Sequence, residues 1–184
     1  MKYRQQGHEV YLCLLTDGSC KEDPEIRKKE QLESARITGA TDVFFGGYKD
    51  TELTCSRELI NFFEEIAKKV QPDFGFVPYS DDTHQDHRAL TQAAIPGSRS
   101  LIKNVLYYDV LSTQNFIPSV YVDIEDVFET KLACLEAHRS QVMNTYIKDM
   151  SIVDVARSAN HFRGIQGRVK YAEAFIPVRL FINI

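Results

Sequence analysis

The chain has no Cys-x-x-Cys pair among its four cysteines, Cys13, Cys20, Cys55 and Cys134. Their wide spacing excludes a zinc knuckle and a disulfide framework, and reads as reduced thiols in a cytoplasmic protein. No stretch is long and apolar enough for a bilayer: the longest run, Val10 to Leu15, is far short of a spanning helix. The opening Met1-Lys2-Tyr3-Arg4-Gln5-Gln6 has no signal-peptide core. Basic residues are not gathered into a stripe. With a net charge of −4 and pI near 5.7, a general nucleic-acid binder is excluded. There is no internal repeat, low-complexity tract or linker. What remains is an ordinary soluble composition, 43% hydrophobic and 26% charged, at a length suited to one domain, 1–184.

The order of elements follows from local signals. His8 to Leu15 reads as a buried strand ending in Thr16-Asp17-Gly18-Ser19. Asp23-Pro24 starts a helix, as N-cap and first helical residue, and Gly39 stops it. Asp42 to Phe45 is a short strand closed by Gly46-Gly47. Ser56 caps a helix whose Leu59, Ile60, Phe62, Phe63, Ile66, Ala67 and Val70 follow helical spacing, and Pro72 ends it. Asp73 to Tyr79 is a third strand. A helix from about His87 to Ala94 should break at Pro96-Gly97. Strands at 104–110 and 120–124, helices at 126–141 and 151–162, and an extended segment at 171–178 complete the chain.

Alternating strands and helices predict an α/β fold with a mostly parallel sheet and right-handed crossovers. In such sheets ligands bind beyond the carboxyl ends of the strands. Thr16-Asp17-Gly18, Gly46-Gly47-Tyr48 and Ser80 to His87 lie at such ends.

The last of these carries the chemistry. Pro78-Tyr79-Ser80-Asp81-Asp82-Thr83-His84-Gln85-Asp86-His87 places His84, Asp86 and His87 within four positions. Imidazole and carboxylate are common ligands of catalytic zinc, and a carboxylate can hold an imidazole in one tautomer. The plain alternative is a solvated acidic loop with helix-capping aspartates. Asp17 reads better as a turn residue than as a ligand. Arg27 and Glu30, one helical turn apart, read from spacing as a surface pair. His138 and Arg139 near a helix end need only the helix dipole to explain them. His8 and His161 are isolated.

These residues, in order, resemble the PIG-L/LmbE-like family of zinc-dependent N-deacetylases. The resemblance runs through His8-Glu9-Val10, Leu15 to Gly18, Arg27-x-x-Glu30, Pro72 to Tyr79, His84-Gln85-Asp86-His87, Tyr121 to Ile124, Lys131, Ser140-Gln141, and Tyr171 to Phe175. It implies a Rossmann-like fold and hydrolysis of an N-acetyl group on an amino sugar or related amide. The partner is then a small N-acetylated sugar conjugate, and a homo-oligomer is compatible with it. By motif position it implies His87 as a zinc (Zn2+) ligand. His84 acts on the oxyanion or as proton donor, Asp86 orients His84, and Arg27 contacts substrate. The family's His-Pro-Asp-Asp-Glu motif, which precedes the strand at 8–15, is not among these residues. The resemblance therefore implies an N-terminally incomplete domain without its first strand. A truncated sugar-binding domain without catalysis is the rival expectation. An HD-type phosphohydrolase is all-helical and conflicts with the strands.

Overall fold

A computed structural model describes residues 1–182. In chain order the elements are α1 (Lys2–Gln5), β1 (Tyr11–Thr16), α2 (Pro24–Thr38), β2 (Asp42–Tyr48), α3 (Arg57–Val70), β3 (Phe74–Pro78), α4 (Gln85–Ser98), β4 (Asn104–Tyr108), β5 (Val120–Asp123), α5 (Phe128–Glu136), α6 (Ile152–Gly167) and β6 (Ala172–Arg179). The fold is mixed α/β with flanking helices, as the alternation predicts. β1 and β2 pair in parallel as one sheet; the other has the order β3-β4-β6-β5, with β3 and β4 parallel and β6 antiparallel to β4. The chain gathers into two compact units, one of Met1–Asp50 with Val122–Glu173, the other of Thr51–Tyr121 with the residues from Ala174 onward.

The caps read from the sequence are present. The Asp23 carboxylate accepts the Glu25 N–H at 2.8 Å, with Pro24 at the first helical position. Gly39 closes α2 at φ 74°, the left-handed region open to glycine without a Cβ clash. The Ser56 hydroxyl accepts the Leu59 N–H.

The first unit packs Ile124, Val127, Phe128 and Leu132 into a core joined by Val153, Ala156 and Tyr171. Phe128 and Tyr171 stack with centroids 3.8 Å apart. In the second unit α3 packs on α4, with Leu59, Ala89, Ala93 and Ala94 buried.

One expectation is corrected here. Pro96-Gly97 does not break α4, which runs from Gln85 to Ser98 with Pro96 inside its last turn. Gly97 lies against α3 so closely that a Cβ there would stand 2.9 Å from the Phe63 Cβ and 3.2 Å from the Ile60 carbonyl oxygen. Close packing of the two helices holds the last turn in place despite the missing proline N–H.

Candidate active site

The histidine loop leaves the carboxyl end of β3 and enters α4. The Thr91 hydroxyl, in the second turn of α4, donates to the Pro78 carbonyl at 2.8 Å and ties the helix to the end of the strand. His84 is the N-cap of α4. Its Nδ1 accepts the Asp86 backbone N–H at 3.2 Å, so this nitrogen carries the lone pair and Nε2 carries the proton in the neutral ring.

His87 is held in the opposite sense. Its Nδ1 lies 3.1 Å from Oδ2 of Asp82, whose side chain is fully buried. Oδ1 of Asp82 accepts the His84 backbone N–H at 2.8 Å. Burial opposes ionisation of Asp82, but the His84 N–H, the Ser112 hydroxyl and His87 outweigh it and hold its carboxyl below the usual range. An ionised carboxylate only accepts, so the His87 Nδ1 donates and its Nε2 keeps a lone pair. The two rings stack with centroids 4.7 Å apart and 25° between planes. The pair therefore presents one nitrogen able to bind a cation and one able to donate a hydrogen bond. A carboxylate behind a ligating imidazole is the usual support of a metal ligand.

Asp82 is the residue sequence reasoning missed. Asp86 was expected to orient His84 with its carboxylate. Instead its oxygens accept the backbone N–H groups of Thr51 at 2.8 Å and Leu53 at 3.2 Å. Gln85 Nε2 donates to the Thr51 carbonyl at 2.9 Å. Thr51 has φ 69°, a conformation costly for a β-branched residue, and the first turn of α4 holds it from both sides. Asp86 still offers a ligand atom within 4.8 Å of one on His84. The signal for Asp82 is local: an aspartate two residues before a helix N-cap is placed to take the cap residue's N–H.

In the other unit the ends of β1 and β2 meet: Asp17 N–H donates to the Tyr48 carbonyl at 2.9 Å. The Asp17 carboxylate accepts the N–H groups of Ser19 and Asp50 at 3.0 and 3.1 Å, so it is the turn residue it reads as. An open pocket here is lined by Thr16, Asp17, Gly18, Lys21, Arg27 and Gln141 among others.

Arg27 and Glu30 are not a surface pair. Their side chains are 19% and 10% exposed and 2.7 Å apart. Glu30 also accepts the Ser140 N–H at 2.7 Å and hydroxyl at 2.8 Å. Those bonds and Arg27 hold its carboxyl low against the opposing effect of burial. Spacing along one helix could not show this, because Ser140 is 110 residues away.

His138 stands against the same cluster, its Nδ1 3.5 Å from Arg27 Nη1. Burial, then the Arg27 charge, lowers its pKa, and Glu30 opposes them only in part. A histidine with a depressed folded pKa contributes stability that is complete above its unfolded pKa, about 6.5, and is lost as pH falls below it. Wild-type stability to urea is expected to fall between pH 7 and pH 5, and the His138→Gln variant to show a flatter slope. Equal slopes would remove His138 as the cause.

Polar groups at the carboxyl ends of strands, with an imidazole pair at a helix start, define an α/β enzyme site. A family model described as PIG-L, GlcNAc-PI de-N-acetylase, matches residues 1–96 of the 184, and the chain belongs to that family. It is 29% identical over 145 residues to the uncharacterized deacetylase YaiS of Escherichia coli, covering 74% of this chain and 78% of that protein. It is 30% identical over 165 residues to diacetylchitobiose deacetylase of Thermococcus kodakarensis, covering 76% of this chain but only 62% of that relative. Among solved structures, N,N'-diacetylchitobiose deacetylase from Pyrococcus horikoshii, complexed with its inhibitor, matches with a TM-score of 0.81 at 28% identity. That match covers 96% of this chain and 75% of the other. No helix among the described residues is long and apolar enough to cross a membrane.

Proposed function

We propose that this chain carries the histidine side of a zinc-dependent N-deacetylase site acting on a small N-acetylated sugar conjugate. The observation that supports it most is the Asp82–His87 pair, which leaves an imidazole lone pair at Nε2 beside the stacked ring of His84. The donor chemistry fits zinc at this position: a neutral imidazole backed by a carboxylate. His87 would be one of the protein ligands. A bound zinc supplies Lewis-acid polarisation of the amide carbonyl and a water of lowered pKa.

The residues of this chain then divide the remaining work. His84 Nε2–H donates a hydrogen bond toward the negative charge that develops on the carbonyl oxygen. Its Nδ1 is engaged by the Asp86 N–H, so Nε2 is the ring nitrogen left to donate. Asp82 keeps the His87 ring oriented. Asp86 holds the 51–53 segment against the first turn of α4 and reaches His84 only through its backbone N–H. Arg27 lines the pocket at the ends of β1 and β2, braced by Glu30, and is the substrate contact that the resemblance implies.

The test is zinc content after dialysis and acetate release from N,N'-diacetylchitobiose. Both are measured on the zinc-loaded chain, on the zinc-stripped chain and on the His87→Ala variant. The loaded chain is expected to hold zinc and to release acetate, and His87→Ala to do neither. Acetate release that survives full zinc removal would overturn the metal role. Saccharide binding without zinc or acetate release would make the protein a binding module.

A further inference from the structure

The loop that follows β4 has no part in the motif read from the sequence, yet it is fastened along the histidine loop. Thr83 N–H and its hydroxyl donate to the Ser112 carbonyl at 3.0 and 3.2 Å. Gln114 N–H donates to the Asp81 carbonyl at 2.8 Å, and Asn115 Nδ2 to the Asp81 carboxylate at 2.8 Å. Between these contacts lies Thr113. Its hydroxyl oxygen accepts the Val110 N–H at 2.9 Å and stands 3.1 Å from Asp82 Oδ2.

That pairing fixes a direction. The Val110 N–H approaches a lone pair of the Thr113 oxygen, so the single hydroxyl proton is left for Asp82. Oδ2 of Asp82 thus receives Thr113 Oγ1–H from one side and His87 Nδ1–H from the other. The Ser112 hydroxyl, which also bonds the Asp82 carboxyl, is 3.4 Å from the same Nδ1, a poorer contact.

We propose that Thr113 is a positioning residue: by anchoring Asp82 Oδ2 it holds His87 in the Nδ1–H tautomer and keeps Nε2 available. The chain of contacts runs Val110 N–H, Thr113 hydroxyl, Asp82 carboxylate, His87 ring, and each link has one donor and one acceptor. The link to zinc rests on the function proposed above; the tautomer does not.

The experiment reads the tautomer directly. Long-range proton–nitrogen NMR spectra of the metal-free 184-residue chain report which ring nitrogen of His87 carries hydrogen. Wild type and Thr113→Ser, which keeps the hydroxyl, are expected to show a single Nδ1–H form. Thr113→Val, equal in shape but without donor or acceptor, is expected to show both tautomers. Ser112→Ala is expected to match wild type. Zinc affinity should fall about tenfold in Thr113→Val, the lower end of the effect of losing a supporting partner, and recover in Thr113→Ser. An unchanged His87 tautomer in Thr113→Val overturns the inference, as does a shift produced by Ser112→Ala instead. A tautomer shift in a protein that never binds zinc leaves the inference standing and removes the metal reading alone.

Discussion

His87→Ala is expected to empty the metal site, while His84→Ala keeps metal and fold and loses turnover. The two histidines look alike in sequence, three residues apart. In the structure they are in opposite tautomers, because one Nδ1 accepts from a helix N–H and the other faces a buried carboxylate. Only His87 has its Nε2 lone pair set by a partner. A site reduced from three protein ligands to two binds zinc far more weakly. Loss of the His84 donor should lower kcat by roughly 10² to 10⁴, the scale of one oxyanion or acid–base group. His84 also caps α4, so alanine should cost about 1 kcal/mol of stability as well. His84→Asn separates the two effects: asparagine restores the cap and not the imidazole, so stability should return while kcat does not. Zinc by elemental analysis and kcat on all three variants decide the matter. If His84→Ala loses metal and His87→Ala keeps it, the assignment is reversed. If neither changes activity, the pair is a capped loop and the chemistry lies elsewhere.

Asp86→Ala is expected to act on folding first. The side chain is buried, and its two oxygens serve two backbone N–H groups at Thr51 and Leu53. Each buried N–H left without an acceptor costs about 1–3 kcal/mol, so a loss of roughly 2–5 kcal/mol is expected in urea unfolding. Thr51 makes the loss larger than the bond count alone suggests. Its left-handed backbone persists only while its surroundings hold it. Asp86→Asn keeps one accepting oxygen and should fall between wild type and alanine in both stability and turnover. If Asp86→Ala unfolds at the wild-type urea midpoint while kcat collapses, the carboxylate works in the reaction and not as an anchor.

The legible part of this protein is the part written in short-range interactions. Asp23-Pro24, Gly39 and Ser56 announce helix ends because a cap acts on groups two to four residues away. Asp73 to Tyr79 announces a strand by its composition, and the crowding of imidazole and carboxylate after it marks the site. The alternation of elements was enough for the α/β class. The family resemblance came from motif order over nearly the whole length, and the family model matches residues 1–96.

What the sequence could not rank was the carboxylates. Asp81, Asp82 and Asp86 are equivalent as letters. Their fates differ because each meets a different distant segment: Asp82 lies beneath the loop holding Thr113, Asp86 faces Thr51 and Leu53, and Asp81 takes the side chain of Asn115. Arg27 and Glu30 follow the same rule, turned from a nominal surface pair into a largely buried network by Ser140. Pro96 is its counterpart in the backbone, kept helical by packing against α3. Residue types and local order, by themselves, determined the class of fold and the place of the chemistry. Only tertiary structure decided which acid holds which imidazole. A hydrogen bond needs its partner within about 3 Å, and the further partners that sort these acids come from 31 to 110 residues away along the chain.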